Sequence, residues 1–368
     1  MGTSRARSTK ILERLGADAS GKRAGVVYLQ VDYDVAKLAV KRELERKGVV
    51  VMQIGDAIKK LGTARERLWR ALSPAQDEFT ELAAERETRG VFVYVPDGVR
   101  VKLPIQACFL VSREEVEQIA HNVIVLGEGA ELTVNTTCAA IAGESLHVGV
   151  TEAYVGKRAR LNFVMIHGWI EGAEARPRTG VLVEEGGEFV AHYANLRPVR
   201  LLQAMPKILL EKKASSYYSS VLVGRRASEI DVGVEVEFLG EKSRGEVVSR
   251  SVARDSSKIV MRGTLRSRAA GARGHLECRG LQLSGEARIT AIPVLESLTP
   301  GSSLTHEAAI GRISEEELSY LMSRGFTEEE AISLVVRGFV DIGWDRLPPS
   351  LRPQLKGVID LVAKMASG

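Results

Sequence analysis

Apolar positions near the start of the chain recur at three- and four-residue spacing: Val35, Leu38, Ala39 and Leu44, then Ile58, Leu61, Leu68 and Leu72. That period lines one face of a helix, so helices are predicted over residues 1–89, broken at Ser73-Pro74, with a last one over 75–87. At Gly90 the pattern changes. Val91, Val93 and Val95 alternate with Phe92 and Tyr94, a strand-length run closed by the turn Pro96-Asp97-Gly98.

After residue 120 small turn elements recur, among them Gly127-Glu128-Gly129, Gly156-Lys157-Arg158, Glu185-Gly186-Gly187, Gly224-Arg225-Arg226, Gly240-Glu241-Lys242 and Ala270-Gly271-Ala272. Their small residues lie about 28 apart in the first half and about 15 apart in the second, each followed by a short alternating strand. A unit too short to bury its own face must stack on its neighbours, which predicts a β-solenoid. An antiparallel sandwich also uses many short strands, but it would bring Asn-Gly and Asp-Gly hairpin turns, and the chain has one such pair, Asp97-Gly98. From about residue 313 the helical period returns. Ser314 and Thr327 each precede a run of three glutamates as capping boxes, Arg324-Gly325 closes the first helix, Leu347-Pro348-Pro349 stops the second, and Leu355, Ile359 and Val362 mark a third.

Composition supports the solenoid. Aromatic residues make up 5% of the chain beside 35 glycines, which suits thin aliphatic layers. The net charge of +4 is spread along the chain, and its basic clusters sit in turns without interleaved aromatics, so no nucleic-acid partner is expected. No apolar run approaches the ~20 residues that cross a bilayer, and the N-terminus carries no apolar signal core, so a cytoplasmic protein without a membrane partner is expected. Cys108, Cys138 and Cys278 are too far apart for a local zinc motif and too few for a disulfide framework.

Three segments resemble one family. LTHEAAIGRISEEELSYLMSRGFTEEEA, over 304–331, is similar to the signature of SufB and SufD, the β-helical subunits of the SUF iron–sulfur cluster assembly system. GVFVYVPDGVRVKLPIQACF, over 90–109, resembles that family's entry into its β-helix, and LHVGVTEAYVGKRARL, over 146–161, is followed by the matching HGW of His167, Gly168 and Trp169. The resemblance implies a right-handed parallel β-helix over 90–303, flanked by an N-terminal helical region, 1–89, and a C-terminal helical domain, 304–368. It implies a scaffold that works with a SufC-type ABC ATPase, a second SufB- or SufD-type chain and a sulfur-donor protein. The chain has no G-x-x-x-x-G-K-[ST], so it would be no ATPase itself.

SufB-type members carry an early cysteine thought to receive sulfur and a late one thought to hold it, and Cys138 and Cys278 stand in those places. His306-Glu307 follows the SufB-like pair. Departures are Thr305, where an acid often stands, His121, where an arginine may occur in the family, and the lack of an N-terminal cysteine cluster. The resemblance thus favours a SufB-like scaffold, with a SufD-like structural partner as the alternative.

Cys278, His306 and Glu307 then become the candidate metal ligands for a transient iron–sulfur cluster: one thiolate, one imidazole and one labile carboxylate. Cys138, His167 and Trp169 become the sulfur-transfer residues, and Arg324, Gly325 and Phe326 the ATPase contact. Cys108, in an apolar run, reads as core. A flavin is reported for assembled family complexes, and no G-x-G-x-x-G is present to hold one. On residues alone, Cys278 is equally a small buried hydrophobe and His306-Glu307 a structural pair. A β-helical carbohydrate enzyme would need paired acids, exposed aromatics and a secretion signal; Glu184-Glu185 is present, but the chain has three tryptophans and no signal.

Overall fold

The computed structural model describes residues 11–13, 15, 17, 18, 20–86, 89–341, 357, 360 and 363. In chain order the strands are β1 (Val26–Val31), β2 (Asp34–Val40), β3 (Val50–Gln53), β4 (Val91–Val95), β5 (Ile105–Val111), β6 (Glu117–Leu126), β7 (Glu131–Ala140), β8 (Leu146–Val155), β9 (Arg160–Gly168), β10 (Glu174–Ala175) and β11 (Arg178–Val183). They continue as β12 (Glu188–Asn195), β13 (Leu201–Ala204), β14 (Lys207–Leu210), β15 (Ser215–Gly224), β16 (Glu229–Phe238), β17 (Arg244–Ala253), β18 (Lys258–Ser267), β19 (Arg273–Gln282), β20 (Arg288–Ser297) and β21 (Ser303–Arg312). One sheet runs β2-β1-β5-β7-β9-β12-β15-β17-β19-β21. The other runs from β3 and β4 through β6 and β8 to β16, β18 and β20, with two broken strands, β10/β11 and β13/β14, in between. Pairing is parallel except for β1 with β2 and β3 with β4. The chain is therefore a parallel β-helix of two facing sheets.

Alternation decides which side chains face inward. On β5, Ile105, Ala107, Phe109 and Val111 enter the core between the sheets, while Cys108 and Leu110 join a second cluster on the outer face. Rungs pair at a 29-residue offset, as in Ser220 with Ser249, and this explains the turn repeat of about 28; the 15-residue spacing is the half-rung from one corner to the next. At one corner a left-handed residue recurs on every rung: Gly129, Arg158, Gly186, Lys213, Lys242, Gly271 and Gly301 all have φ between 55° and 82°.

Two boundaries differ from expectation. Val35, Leu38 and Ala39 lie in β2, not in a helix, because β1 and β2 form a hairpin and β1 pairs in parallel with β5. The parallel ladder therefore starts at Val26, and the N-terminal region is mixed: its helices are short, α1 (Arg42–Arg46), α2 (Ile54–Lys60), α3 (Gly62–Arg67) and α4 (Glu78–Glu85). At the other end, residues 303–312 form the last rung, so His306 and Glu307 belong to the β-helix and not to the helical domain. The C-terminal helices α5 (Glu315–Ser323) and α6 (Glu328–Val340) start where the capping residues Ser314 and Thr327 predict, although only Thr327 completes a reciprocal box. The third helix marked by Leu355, Ile359 and Val362, and its Pro-Pro stop, lie outside the described residues.

Both outer faces are partly covered. Val336 and Val340 of α6 are fully buried against Val221, Val248 and Val252, so this helix is part of the solenoid's packing. On the opposite face the segment joining α3 to α4 is held by Glu152, fully buried on β8. Its carboxylate accepts from the amides of Trp69 (2.7 Å) and Ala71 (2.9 Å) and the Tyr154 hydroxyl (2.7 Å), and meets His121 Nε2 at 3.0 Å. Burial works to raise this carboxyl, but the bonds from His121, Tyr154 and Trp69 hold it below the ordinary glutamate range.

Three outcomes follow. At Gly240 an added Cβ would lie 1.9 Å from the Lys212 amide nitrogen, so Gly240→Ala is expected to lower thermal stability by about 2–3 kcal/mol. Lys213→Gly, at φ 57°, is expected to raise it by about 0.5–1 kcal/mol. Glu152, whose folded value is depressed, stabilises the fold fully above its unfolded pKa of about 4.3, and that contribution is lost as pH falls through the lower folded value. Glu152→Gln is expected to cost about 2 kcal/mol and to speed hydrogen exchange at the Trp69 and Ala71 amides at neutral pH.

Candidate functional site

All three cysteines are buried and free. Cys108 faces outward beneath Leu12 and Leu15, in agreement with a packing role. Cys138 on β7 and Cys278 on β19 both point into the space between the sheets. Five strand steps separate them, about 24 Å at the usual inter-strand spacing. Burial pushes the Cys278 thiol up to about 11, with Arg250 acting the other way, and pushes Cys108 up to about 12; it raises Cys138 as well. These are protonated thiols shielded from water, the reverse of an exposed reactive cysteine.

Between the two inward cysteines the rungs bring a row of polar side chains into register. Cys138 lies directly beside His167. The Tyr193 hydroxyl is 2.8 Å from His167 Nδ1. Tyr193 is in register with Ser220, the Ser220 and Ser249 hydroxyls are 2.5 Å apart, and Ser249 is in register with Cys278. Buried atoms without hydrogen-bond partners flank this row: His167 Nε2, Trp169 Nε1, Asn195 Oδ1 and Ser251 Oγ. The expected pair His167 and Trp169 is indeed together, ring centroids 4.9 Å apart, and His147 extends the cluster at 5.2 Å from Trp169. Burial keeps both imidazoles neutral, lowering His147 to about 4 and His167 well below its ordinary value. Tyr193 is held protonated by burial and is a donor to Nδ1, which leaves the His167 proton on Nε2, facing no acceptor.

The candidate ligands are only partly brought together. His306 stands in register with Leu276, so it shares the inward side with Cys278 as a diagonal neighbour, and its Nε2 is buried without a partner. Glu307 projects from the opposite side of β21, where Arg279 Nη2 donates to it at 3.0 Å. Arg279 also meets Glu277 at 2.6 Å, and Glu277 meets Arg250 at 2.8 Å, while the Arg250 guanidinium lies 5.8 Å from the Phe339 ring on α6. Among the described residues no three His, Cys, Asp or Glu side chains gather as a metal site. Of the expected ATPase contacts, Gly325 takes a left-handed turn at φ 97°, Arg324 lies over the Tyr320 ring, and Phe326 is 41% exposed beside the exposed Tyr320 and Met322.

A family model described as the SUF system FeS cluster assembly, SufBD core domain, matches residues 109–339. The chain belongs to the SufBD family. Similar proteins include an iron–sulfur cluster assembly SufBD family protein of Archaeoglobus fulgidus, 38% identical over 364 residues, with 96% of this chain and 94% of that protein covered. One from Methanothermobacter thermautotrophicus is 40% identical over 306 residues, covering 81% and 74%. A more distant one, from Staphylococcus saprophyticus, is 28% identical over 356 residues, covering 95% and 77%. SufBD membership connects the chain to iron–sulfur cluster assembly, and among its described residues no helix is long and apolar enough to cross a membrane.

Sequence reasoning missed Tyr193, Ser220 and Ser249. Stepping the 29-residue rung back from Cys278 reaches Ser249 and then Ser220, so the repeat held the signal. Thiol alkylation tests the burial. In the native chain the rate at Cys278 is expected to rise about tenfold per pH unit from pH 8 to 10, because the thiolate fraction still follows a value near 11. In the unfolded chain it should level off above about pH 8.5.

Proposed function

We propose that this chain is a SufB-like scaffold of the SUF system: it takes up sulfur at Cys138, passes it along the interior of the β-helix, and builds a transient iron–sulfur cluster at Cys278 and His306. The polar row Cys138, His167, Tyr193, Ser220, Ser249, Cys278 carries this reading. A solenoid core needs no such row, and buried polar atoms without partners are costly unless something visits them. His167 Nε2–H and Trp169 Nε1–H are donors suited to a passing sulfane sulfur, and the serine pair continues the path to Cys278. Neutral imidazoles and protonated thiols suit a route that excludes water and competing oxidants.

The cluster is cargo, and one thiolate with one imidazole leaves its coordination incomplete. The last rung supports a second SufB- or SufD-type chain as the source of the rest. Among the described residues β20 and β21 each have one edge without a strand neighbour, and Ile292, Val294, Leu295, Leu298 and Ile310 are exposed there. Glu307 joins as a ligand only when its carboxylate leaves Arg279. ATP hydrolysis belongs to a SufC-type partner docked on α5 and α6, with Phe326 as its apolar anchor, and Cys138 receives its sulfur from a donor protein. The SufD-like alternative keeps the ATPase and the second chain but holds no cluster.

Anaerobic reconstitution of the full chain, read by absorbance and iron-to-sulfide stoichiometry, separates these readings. Cys278→Ser should abolish the cluster, His306→Ala should weaken it, and Glu307→Ala should weaken it less, while Cys108→Ser should leave it intact. Cys138→Ser and Ser249→Val should slow delivery from a sulfur-donor protein and leave reconstitution with free sulfide nearly unchanged. A Cys278→Ser chain that holds iron and sulfide normally would favour the SufD-like role. Phe326→Ala should cut ATPase retention in a pull-down by tenfold or more, about 1.4 kcal/mol or above.

A further inference from the structure

Cross-strand charges on this solenoid are matched almost everywhere. Arg160 faces Glu188, Lys258 faces Glu229, Arg262 faces Asp231, and Arg266 lies between Glu235 and Glu296. Like charges also face each other at Arg250 and Arg279, at Lys258 and Arg288 and at Glu277 and Glu307, but Arg250, Arg279, Lys258, Glu277 and Glu307 each meet an opposite charge nearby. Arg244 and Arg273 are direct partners on β17 and β19, like charges opposite each other, and neither has an ion-pair partner among the described residues.

A cleft of about 410 Å³ opens at these two arginines. The neighbouring rungs supply hydroxyls: Ser215 is in register with Arg244, Ser303 with Arg273, and Thr305 lies 2.8 Å from His275 Nδ1. Beside the arginines the next column reads Ser216, Gly245, Gly274. A Cβ at Gly245 or Gly274 would fall 2.9 Å from the Phe238 ring, so this column faces the core between the sheets and the arginines lie on the outer side of the same strands. Ser216 is 6% exposed and belongs to this inward column, so its hydroxyl lies on the core side of β15, away from the guanidinium groups. Glu246 is the one acid in the lining.

We propose that this cleft binds the phosphate group of a small hydroxylated phosphate ester. Two guanidinium groups without counterions suit a dianionic oxyanion, which would also relieve their mutual repulsion. The cleft is larger than a bare oxyanion requires and falls in the range of small-molecule sites, and the hydroxyls of Ser215, Ser303 and Thr305 suit a polyol beside the phosphate. The site shares β19 and β21 with Cys278 and His306 but uses none of the residues assigned to cluster assembly, so it stands or falls independently of that reading.

Calorimetric titration of the full chain at low ionic strength with ribose 5-phosphate, ribose and inorganic phosphate tests the assignment. Saturable binding is expected for ribose 5-phosphate, weaker binding for inorganic phosphate and none for ribose. Arg244→Gln and Arg273→Gln should each weaken the ester about tenfold. Arg273→Glu should abolish binding and, without ligand, raise the melting temperature, because the new carboxylate faces Arg244. Ser216→Ala, which removes a hydroxyl that faces the core, should leave the affinity unchanged. Equal affinity for phosphate and ester would overturn the ester assignment. The site itself is overturned if ribose binds as well as its phosphate, if neither phosphate probe saturates, if a folded Arg244→Gln or Arg273→Gln chain binds unchanged, or if only an acidic peptide is bound.

Discussion

In-register parallel stacking is the constraint from which the rest of this molecule follows. Because each strand hydrogen-bonds to the strand one rung away at nearly constant offset, a side chain that points inward on one rung lies over its counterpart on the next. Apolar columns then build the core, as with Ile105 beside Val134. The same geometry makes any polar inward residue a neighbour of the residue about 29 positions away. A column therefore behaves as a one-dimensional path along the solenoid axis, and Cys138 and Cys278 sit at two heights of one such interior.

The outer faces obey the same rule with charge. Arginine and glutamate alternate between rungs, and these pairs fix neighbouring strands with modest energy where they are exposed. Where the pattern is interrupted, Arg244 and Arg273 line a cleft, and Glu307, on the outward side of β21, accepts from Arg279. The buried carboxylate of Glu152 applies the principle at higher stakes. It accepts from the Trp69 and Ala71 amides of the segment joining α3 to α4, and from the Tyr154 hydroxyl, and it meets His121.

The helical ends are not appendages. The N-terminal region begins as strands of the solenoid before it becomes helical, and α6 closes an outer apolar face through Val336 and Val340. A single chain of contacts runs from Phe339 through Arg250, Glu277 and Arg279 to Glu307. The same helical pair exposes Tyr320, Met322 and Phe326 on its surface.

By itself the sequence determined the class of fold, the turn period, the capped starts of α5 and α6, and the strand after Gly90, since each rests on local chemistry: alternation, turn residues and hydroxyl caps. It also determined that thiol, imidazole and carboxylate would be available near the end of the chain, and the three family-like segments pointed to the SufBD family that the comparisons then established. Tertiary structure decided the rest. Val35 to Ala39 carried helical spacing yet became a strand, because the β1 edge offered a partner that local propensity cannot see. His306 and Glu307 are adjacent in sequence but face opposite sides, because residues 303–312 form a strand and successive side chains alternate. Only the rung register, a contact between residues 27 to 29 apart repeated along the axis, brought Tyr193, Ser220 and Ser249 into one row with the two cysteines.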